Sequence, residues 1–220
     1  MEFSDIFSML WGGTWDTLWM VLASTFVGYL VGLPLGVLLT ITDTGGLSPH
    51  PVLYRVLDII VNITRSIPFL ILLILIQPFT KFIVGKSYGT TATIVPLTVA
   101  AIPFIARMVE GSLKEVDHGV IEAAQSMGAS RLTIITKVMV AESRINLLVG
   151  VTIALGTILG YSAMSGVVGG GGLGDIAIRY GYYRYETGIM IITVVVLVLL
   201  MQLLQWAGNL LTKKLDRRRA

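Results

Sequence analysis

Long apolar stretches dominate this chain, and they restrict it to a lipid bilayer. Five of them lie near or beyond the ~20 residues that cross a membrane as a helix: Trp15–Ile41, Leu57–Phe79, Thr91–Val109, Asn146–Ser162 and Gly188–Leu211. Charged residues are only 13% of the 220, and mean hydropathy is +0.83. A soluble domain carries about a quarter charged residues, so this chain cannot cover a soluble surface. The regular alternation of an outer-membrane barrel is absent. The expected fold class is an all-α polytopic membrane protein with five transmembrane helices. It reads as one integral domain over 15–211, with an extracytoplasmic segment 1–14 before it and a basic tail 212–220 after it. Met1–Thr14 holds Glu2 and Asp5 but no Lys or Arg. It therefore lacks the basic region of a secretory signal, and the first stretch is expected to stay as a span.

Positive charge sets the expected orientation. The tail carries Lys213, Lys214, Arg217, Arg218 and Arg219 and is expected in the cytoplasm. Five spans then place the N-terminus outside. The loops Thr42–Val56 and Glu110–Arg144 fall inside; Thr80–Thr90 and Ala163–Thr187 fall outside. The net charge of +3 is thereby explained by orientation, with membrane lipid as the neighbour and no nucleic-acid partner. Cysteine is absent, and the two histidines, His50 and His118, lie far apart in sequence. No metal and no cofactor are expected.

Several features lie within the spans. Gly28, Gly32 and Gly36 form a small-residue ridge that admits a close helix, either within the bundle or at a seam with a second copy. Asp58, Asn62, Arg65 and Ser66 share one face of the second span, which is expected to break at Ile67-Pro68 and act as a pivot. Arg65 reads as a side chain reaching for lipid headgroups or as a pathway or intersubunit residue. The third span is expected to bend at Pro96 and Pro103, as a moving wall or for simple packing. It ends with Arg107 and Glu110 one turn apart, within reach of an ion pair. The glycine run 169–172 is expected to shape the outer mouth. The tyrosines that follow it suit an interfacial belt or a protein contact.

A polar island stands between the third and fourth stretches: Glu122-Ala123-Ala124-Gln125-Ser126-Met127-Gly128-Ala129-Ser130-Arg131. Asp117 suits the N-cap of a helix from His118. Gly128 suits a left-handed turn ending it, and Ser130 suits the cap of a second helix to about Ala141. Val120, Ile121, Ala124 and Met127 are expected to form one apolar face of the first helix. Leu132, Ile135, Val138 and Met139 are the apolar positions expected on the second. Small Ala123 and Ala124 favour a docking surface over a lipid-facing helix.

Glu122-Ala123-Ala124, then Gly128 and apolar Val138, resemble the EAA loop of membrane permeases in bacterial ABC importers. Val140-Ala141 replaces the usual Leu-Pro of that family, which bears on the bend after the second helix. Arg65-Ser66-Ile67-Pro68-Phe69, Val95-Pro96-Leu97-Thr98, the run Pro103 to Glu110, Gly160-Tyr161-Ser162-Ala163-Met164-Ser165-Gly166 and Gly171-Gly172-Leu173-Gly174-Asp175 narrow the likeness to the methionine-import branch. The resemblance covers nearly the whole chain. It implies a type I ABC importer permease fold, a homodimer, two ABC ATPase subunits inside and a methionine-binding lipoprotein outside. It implies that Glu122, Ala123, Ala124, Ser126, Met127, Gly128 and Ala129, within the loop 115–142, couple the permease to the ATPase.

The chain has no Gly-x-x-x-x-Gly-Lys-Ser/Thr phosphate loop, so ATP hydrolysis falls to a partner and the chain is not an enzyme. Ser66, Pro68, Ser162, Ala163 and Met164 are expected to line the substrate pathway, being small or weakly polar beside apolar runs. Met164 reads as a flexible apolar plug or as bundle packing. The alternatives are a permease for another amino acid, or a self-contained secondary transporter. The latter usually shows more spans and an inverted repeat. An intramembrane enzyme would need a catalytic pair within a span, and none is evident.

Overall fold

In the computed structural model, which describes residues 3–215, helices carry the chain back and forth beside one another. The first, α1 (Phe3–Thr42), has 40 residues and is about 60 Å long by its rise per residue. It starts at Phe3 rather than Trp15, so the segment expected ahead of the first span is helical and continuous with it. Nothing before Trp15 breaks the helix, and Gly13 sits where a Cβ would fall 2.4 Å from Ile176 of a later helix. Phe7, Trp11, Trp15 and Trp19 recur every fourth residue and are all exposed. This ridge suits an aromatic belt at a membrane surface.

The second stretch is broken where expected. Helix α2 (Pro51–Ser66) begins at a cap in which Leu53 N–H donates to His50 Nδ1 at 3.3 Å. It stops because Pro68 has no N–H and forces Ile67 into extended backbone (φ −79°, ψ 122°). Helix α3 (Phe69–Leu75) leaves at 101° to α2, and α4 (Gln77–Val84) follows. The stretch to Phe79, expected to break once at Ile67-Pro68, thus lies in three pieces, with a second interruption at Ile76.

Helix α5 (Thr90–Lys114) stays one helix through Pro96 and Pro103 and packs along α1. The small-residue ridge serves this contact. A Cβ on Gly28 would lie 2.9 Å from the Ala101 methyl, on Gly32 2.9 Å from the Ile102 carbonyl, and on Gly36 2.6 Å from the Ala106 carbonyl. The ridge therefore belongs to packing inside the protomer.

Helix α6 (His118–Ser126) and two short turns, α7 (Arg131–Thr133) and α8 (Val140–Glu142), form the polar segment. A π-helical stretch, Ile134–Met139, joins α7 to α8. Helix α9 (Arg144–Ser165) follows Ser143 directly. The region expected as an outer loop after it is mostly helical. A 3-10 turn (Gly166–Val168) leads through the glycine run to α10 (Gly172–Ile176), which continues as a π-helix, Ala177–Tyr182. The reason is burial: Leu173 and Ile176 pack with Leu10 and Ile189. The glycine run is anchored too. Gly89 N–H donates to Gly169 O, Thr93 Oγ1 to Gly170 O, and Leu173 N–H to Thr17 Oγ1. Helix α11 (Thr187–Leu215) closes the bundle.

One apolar cluster runs from Met20 and Leu97 through Ile105 and Ile158 to Ile121 and Ile134. It joins the bundle to the α6 segment. Four helical runs are long and apolar enough to cross a membrane, beginning with α1, α5, α9 and α11. The bent α2–α3 pair makes a fifth if taken as one broken crossing. Exposed Ile191, Val195, Leu199 and Trp206 leave α11 open to lipid. Of the basic tail, Lys213 and Lys214 lie within α11, while Arg217–Arg219 lie outside the described residues.

Candidate functional site

The polar segment is built by local hydrogen bonds that the sequence encodes. Asp117 accepts from Gly119 N–H at 2.7 Å and caps α6. At the other end Met127 N–H donates to Ala123 O, and Gly128 takes φ +75° with open space around its Cα. Ala129 N–H then closes back on Ala124 O at 3.1 Å. Ser130 accepts from Thr133 N–H at 3.2 Å and starts the next helix.

Two faces result. Ile121 and Ala124 are buried in the cluster that includes Leu113, Ile134 and Met139. Glu122, Ala123, Ser126, Met127 and Gly128 are exposed and Ala129 is partly buried. The expected apolar face is therefore split: Val120 turns outward and Met127 is 80% exposed. Met127 departs because it sits past the last helical turn, as the C-cap. On the second arm Leu132 is exposed, whereas Ile134 and Met139 are buried. Met139 is among the expected apolar positions, but Ile134 is not: the two stand five residues apart in a π-helical stretch, a spacing that a 3.6-residue pattern does not pair. Helix α6 is thus held on one side only. A cleft of about 430 Å³ lies on another side, lined by Asp43, Gly46, Leu47, His118, Ile121 and Gln125 among others. Arg131 spans to the turn after α1 by donating to Ser48 Oγ at 3.1 Å.

Next to α6 lies a charge network that joins α2, α5 and the turn after α1. Arg107 Nη1 donates to Glu110 at 2.6 Å, the pair read from the sequence. The network is larger than that pair. Arg107 also pairs with Asp58 and donates to Asn62 Oδ1 at 2.9 Å. Lys114 Nζ lies 2.8 Å from Glu110 and 2.6 Å from Asp43, and Tyr54 Oη donates to Glu110 at 3.2 Å. The Lys114 ammonium holds the Asp43 carboxyl below its usual value. Shared helical faces pointed to Asp58 and Asn62, but no local pattern could name their partner.

The expected pathway residues fall into two groups. Ser66 and Pro68 are exposed at the α2–α3 break, with Ser66 Oγ donating to Asn62 O at 2.8 Å. Met164 is also exposed on α9, at 52%. Ser162 is buried and donates to Leu159 O at 2.8 Å, and Ala163 is partly buried. The two segments meet through their neighbours: the rings of Phe69 and Tyr161 stack at 4.6 Å and 4°.

By sequence comparison, this bundle with a small helix fixed to its core falls in the class of transport permeases. Residues 32–218 match the binding-protein-dependent transport system inner membrane component family. The chain belongs to that family. It is a multi-pass inner-membrane component, not an enzyme. Among curated relatives, it is 52% identical over 210 residues to a probable D-methionine transport system permease protein MetI of Vibrio cholerae serotype O1, covering 96% of this chain and 93% of that one. It is 51% identical over 161 residues to the D-methionine transport system permease protein MetI of Escherichia coli K12, covering 72% and 74%. A solved structure of the MetNI methionine ABC transporter in an inward-facing conformation matches with TM-score 0.95 and 47% identity, over 99% of this chain and all of that one. An amino acid ABC transporter matches with TM-score 0.80 at 20% identity, a likeness of fold alone.

Proposed function

We propose that this chain is the membrane-spanning permease subunit of an ATP-driven importer for methionine. The observation that carries the reading is the end-to-end match to the permease chain of the MetNI transporter, at 47% identity. Two copies form the pathway, two ATPase subunits supply the energy, and a binding lipoprotein delivers substrate from outside. The N-terminus lies outside and the C-terminus in the cytoplasm, so α6 faces the ATPase.

Glu122, Ala123, Ser126, Met127, Gly128 and Ala129 form the coupling surface. Exposed Met127 and Val120 supply the apolar contact that an ATPase cleft would cover. Ala124 works from behind, since its methyl is buried and sets how closely α6 seats on the bundle. Ile121 and Ala124 join α6 to the same cluster as α5 and α9, so a push on α6 reaches the spans as a rigid-body movement. Ser66, Pro68 and Met164 face the pathway, with Ser162 and Ala163 supporting Met164 from within α9. Met164 is the flexible apolar plug.

The test is uptake of labelled amino acids into vesicles holding the permease, its ATPase and the binding protein. ATP-dependent uptake of methionine in preference to other amino acids is expected. Uptake that proceeds without the ATPase would sink the reading in favour of a self-contained transporter.

A further inference from the structure

Of the charges of α2 and α5, Arg55 near the start of α2 and Arg65 near its end lie outside the charge network, and Arg65 is the one at the helix break. Asp58, Arg107, Glu110 and Lys114 are all paired with one another or with Asp43. Among the described residues the Arg65 guanidinium makes no ion pair and no hydrogen bond. It borders a recess of about 200 Å³ at the α2–α3 break, together with Thr64, Phe69, Ala100, Phe104 and Tyr161. Ala100 and Phe104 belong to the middle of α5 (Thr90–Lys114). Phe104 is about 15 Å along the axis from the Lys114 end. An unpaired intramembrane charge marks a functional site.

The walls of the recess have complementary chemistry. Stacked Phe69 and Tyr161, with Phe104, make an aromatic pocket that favours an unbranched apolar chain, a thioether included. The guanidinium is a two-pronged carboxylate donor. The last turn of α2 ends at Ser66, and Pro68 offers its carbonyls no N–H. Thr64 O at that end already accepts from Ile67 N–H, so the guanidinium is the polar group the recess offers a ligand. An anion partner and an apolar wall thus border one small space.

We infer that the recess at the α2–α3 break is a holding site for a zwitterionic amino acid with an unbranched apolar side chain, with Arg65 binding its carboxylate. The inference rests on the amino-acid import reading and adds to it a place within the membrane where substrate pauses.

The chain has no cysteine, so Ala100→Cys or Leu72→Cys gives a single reporter on the recess wall. The full complex with its ATPase, in vesicles, is treated with a small thiol reagent. Methionine is expected to slow modification about tenfold. Methionine amide, which lacks the carboxylate, and glutamate are expected to have little effect. Arg65→Gln should abolish the protection, and Arg65→Lys should keep part of it. Methionine uptake is measured in the same vesicles. Absence of uptake in the parent complex counts against the import reading; uptake without protection at either reporter overturns the holding site. Equal protection in Arg65→Gln overturns the role of Arg65. Reporters that react neither with nor without substrate would show the recess filled by the second copy, which also overturns it.

Discussion

Lys114 Nζ and the Asp43 carboxylate meet at 2.6 Å, and this contact ties the turn after α1 to the end of α5. Asp43 is held below its usual value of 3.8, first by the hydrogen bond from Lys114. A carboxyl depressed in the folded state contributes stability above its unfolded pKa. That contribution is present in full above about pH 5 and fades as pH falls through the folded value. Asp43→Asn should therefore lower the melting temperature of the detergent-solubilised protein slightly at pH 7. The effect corresponds to roughly 0.2–1 kcal/mol for so exposed a pair, and it should shrink as pH falls below the ordinary carboxylate value and through the lowered one. A deficit that does not shrink on acidification would show that the side chain acts through something other than its charge.

Glu110 has the larger role. Its side chain is 4% exposed and lies between Arg107 and Lys114. Glu110→Leu leaves two cations beside an apolar surface. The expected cost is somewhat below the roughly 3–5 kcal/mol of a broken buried pair, because Asp58 and Asp43 still offer partners. Thermal melts of Glu110→Leu and Glu110→Gln should both fall well below the parent. Parental stability in Glu110→Gln would mean that the network needs the shape but not the charge.

Gly128 holds φ +75° with open space beside it, so a side chain there meets backbone strain and no neighbour. Gly128→Val should strain the turn by about 1–2 kcal/mol, while the chain still inserts. Gly128→Asn, tolerant of this conformation, should be milder. ATPase pull-down and vesicle uptake, read together, are expected to show loss of coupling in the valine variant. Normal uptake there would end the argument that this turn directs the lever.

The α1–α5 contact makes a separate demand. A Cβ at position 36 would fall 2.6 Å from a Val109 carbon and the Ala106 carbonyl. Gly36→Val should force the helices apart at a cost of about 1–3 kcal/mol. The readout is the melting temperature in detergent. An unchanged value would contradict the tight contact.

Orientation is open to single cysteines. Lys86→Cys and Tyr182→Cys should react with an impermeant thiol reagent added outside intact cells. Ser130→Cys should react only after permeabilisation. Labelling of Ser130→Cys from outside would reverse the proposed topology.

The sequence made the local features of this molecule readable. Asp117, Gly128 and Ser130 act within a few residues of themselves, so their capping and turning roles follow from residue type. Pro68 breaks its helix for the same reason. Contacts between distant segments were not readable. Asp58 and Arg107 are joined only because α2 folds back along α5. The π-helical stretch hid Ile134 from a regular helical pattern. The extra length of α1 and the helical character of 166–182 were missed because mutual burial of Leu10, Leu173 and Ile176 stabilises both.

The glycine ridge of α1 carries one further consequence. Gly28, Gly32 and Gly36 are covered by α5 inside a single protomer, so none of them is available to another chain. Backbones pressed together over glycine resist sliding against each other. Helices α1 and α5 are therefore expected to move as one stiff beam when the bundle shifts, with any give confined to the contacts around that pair.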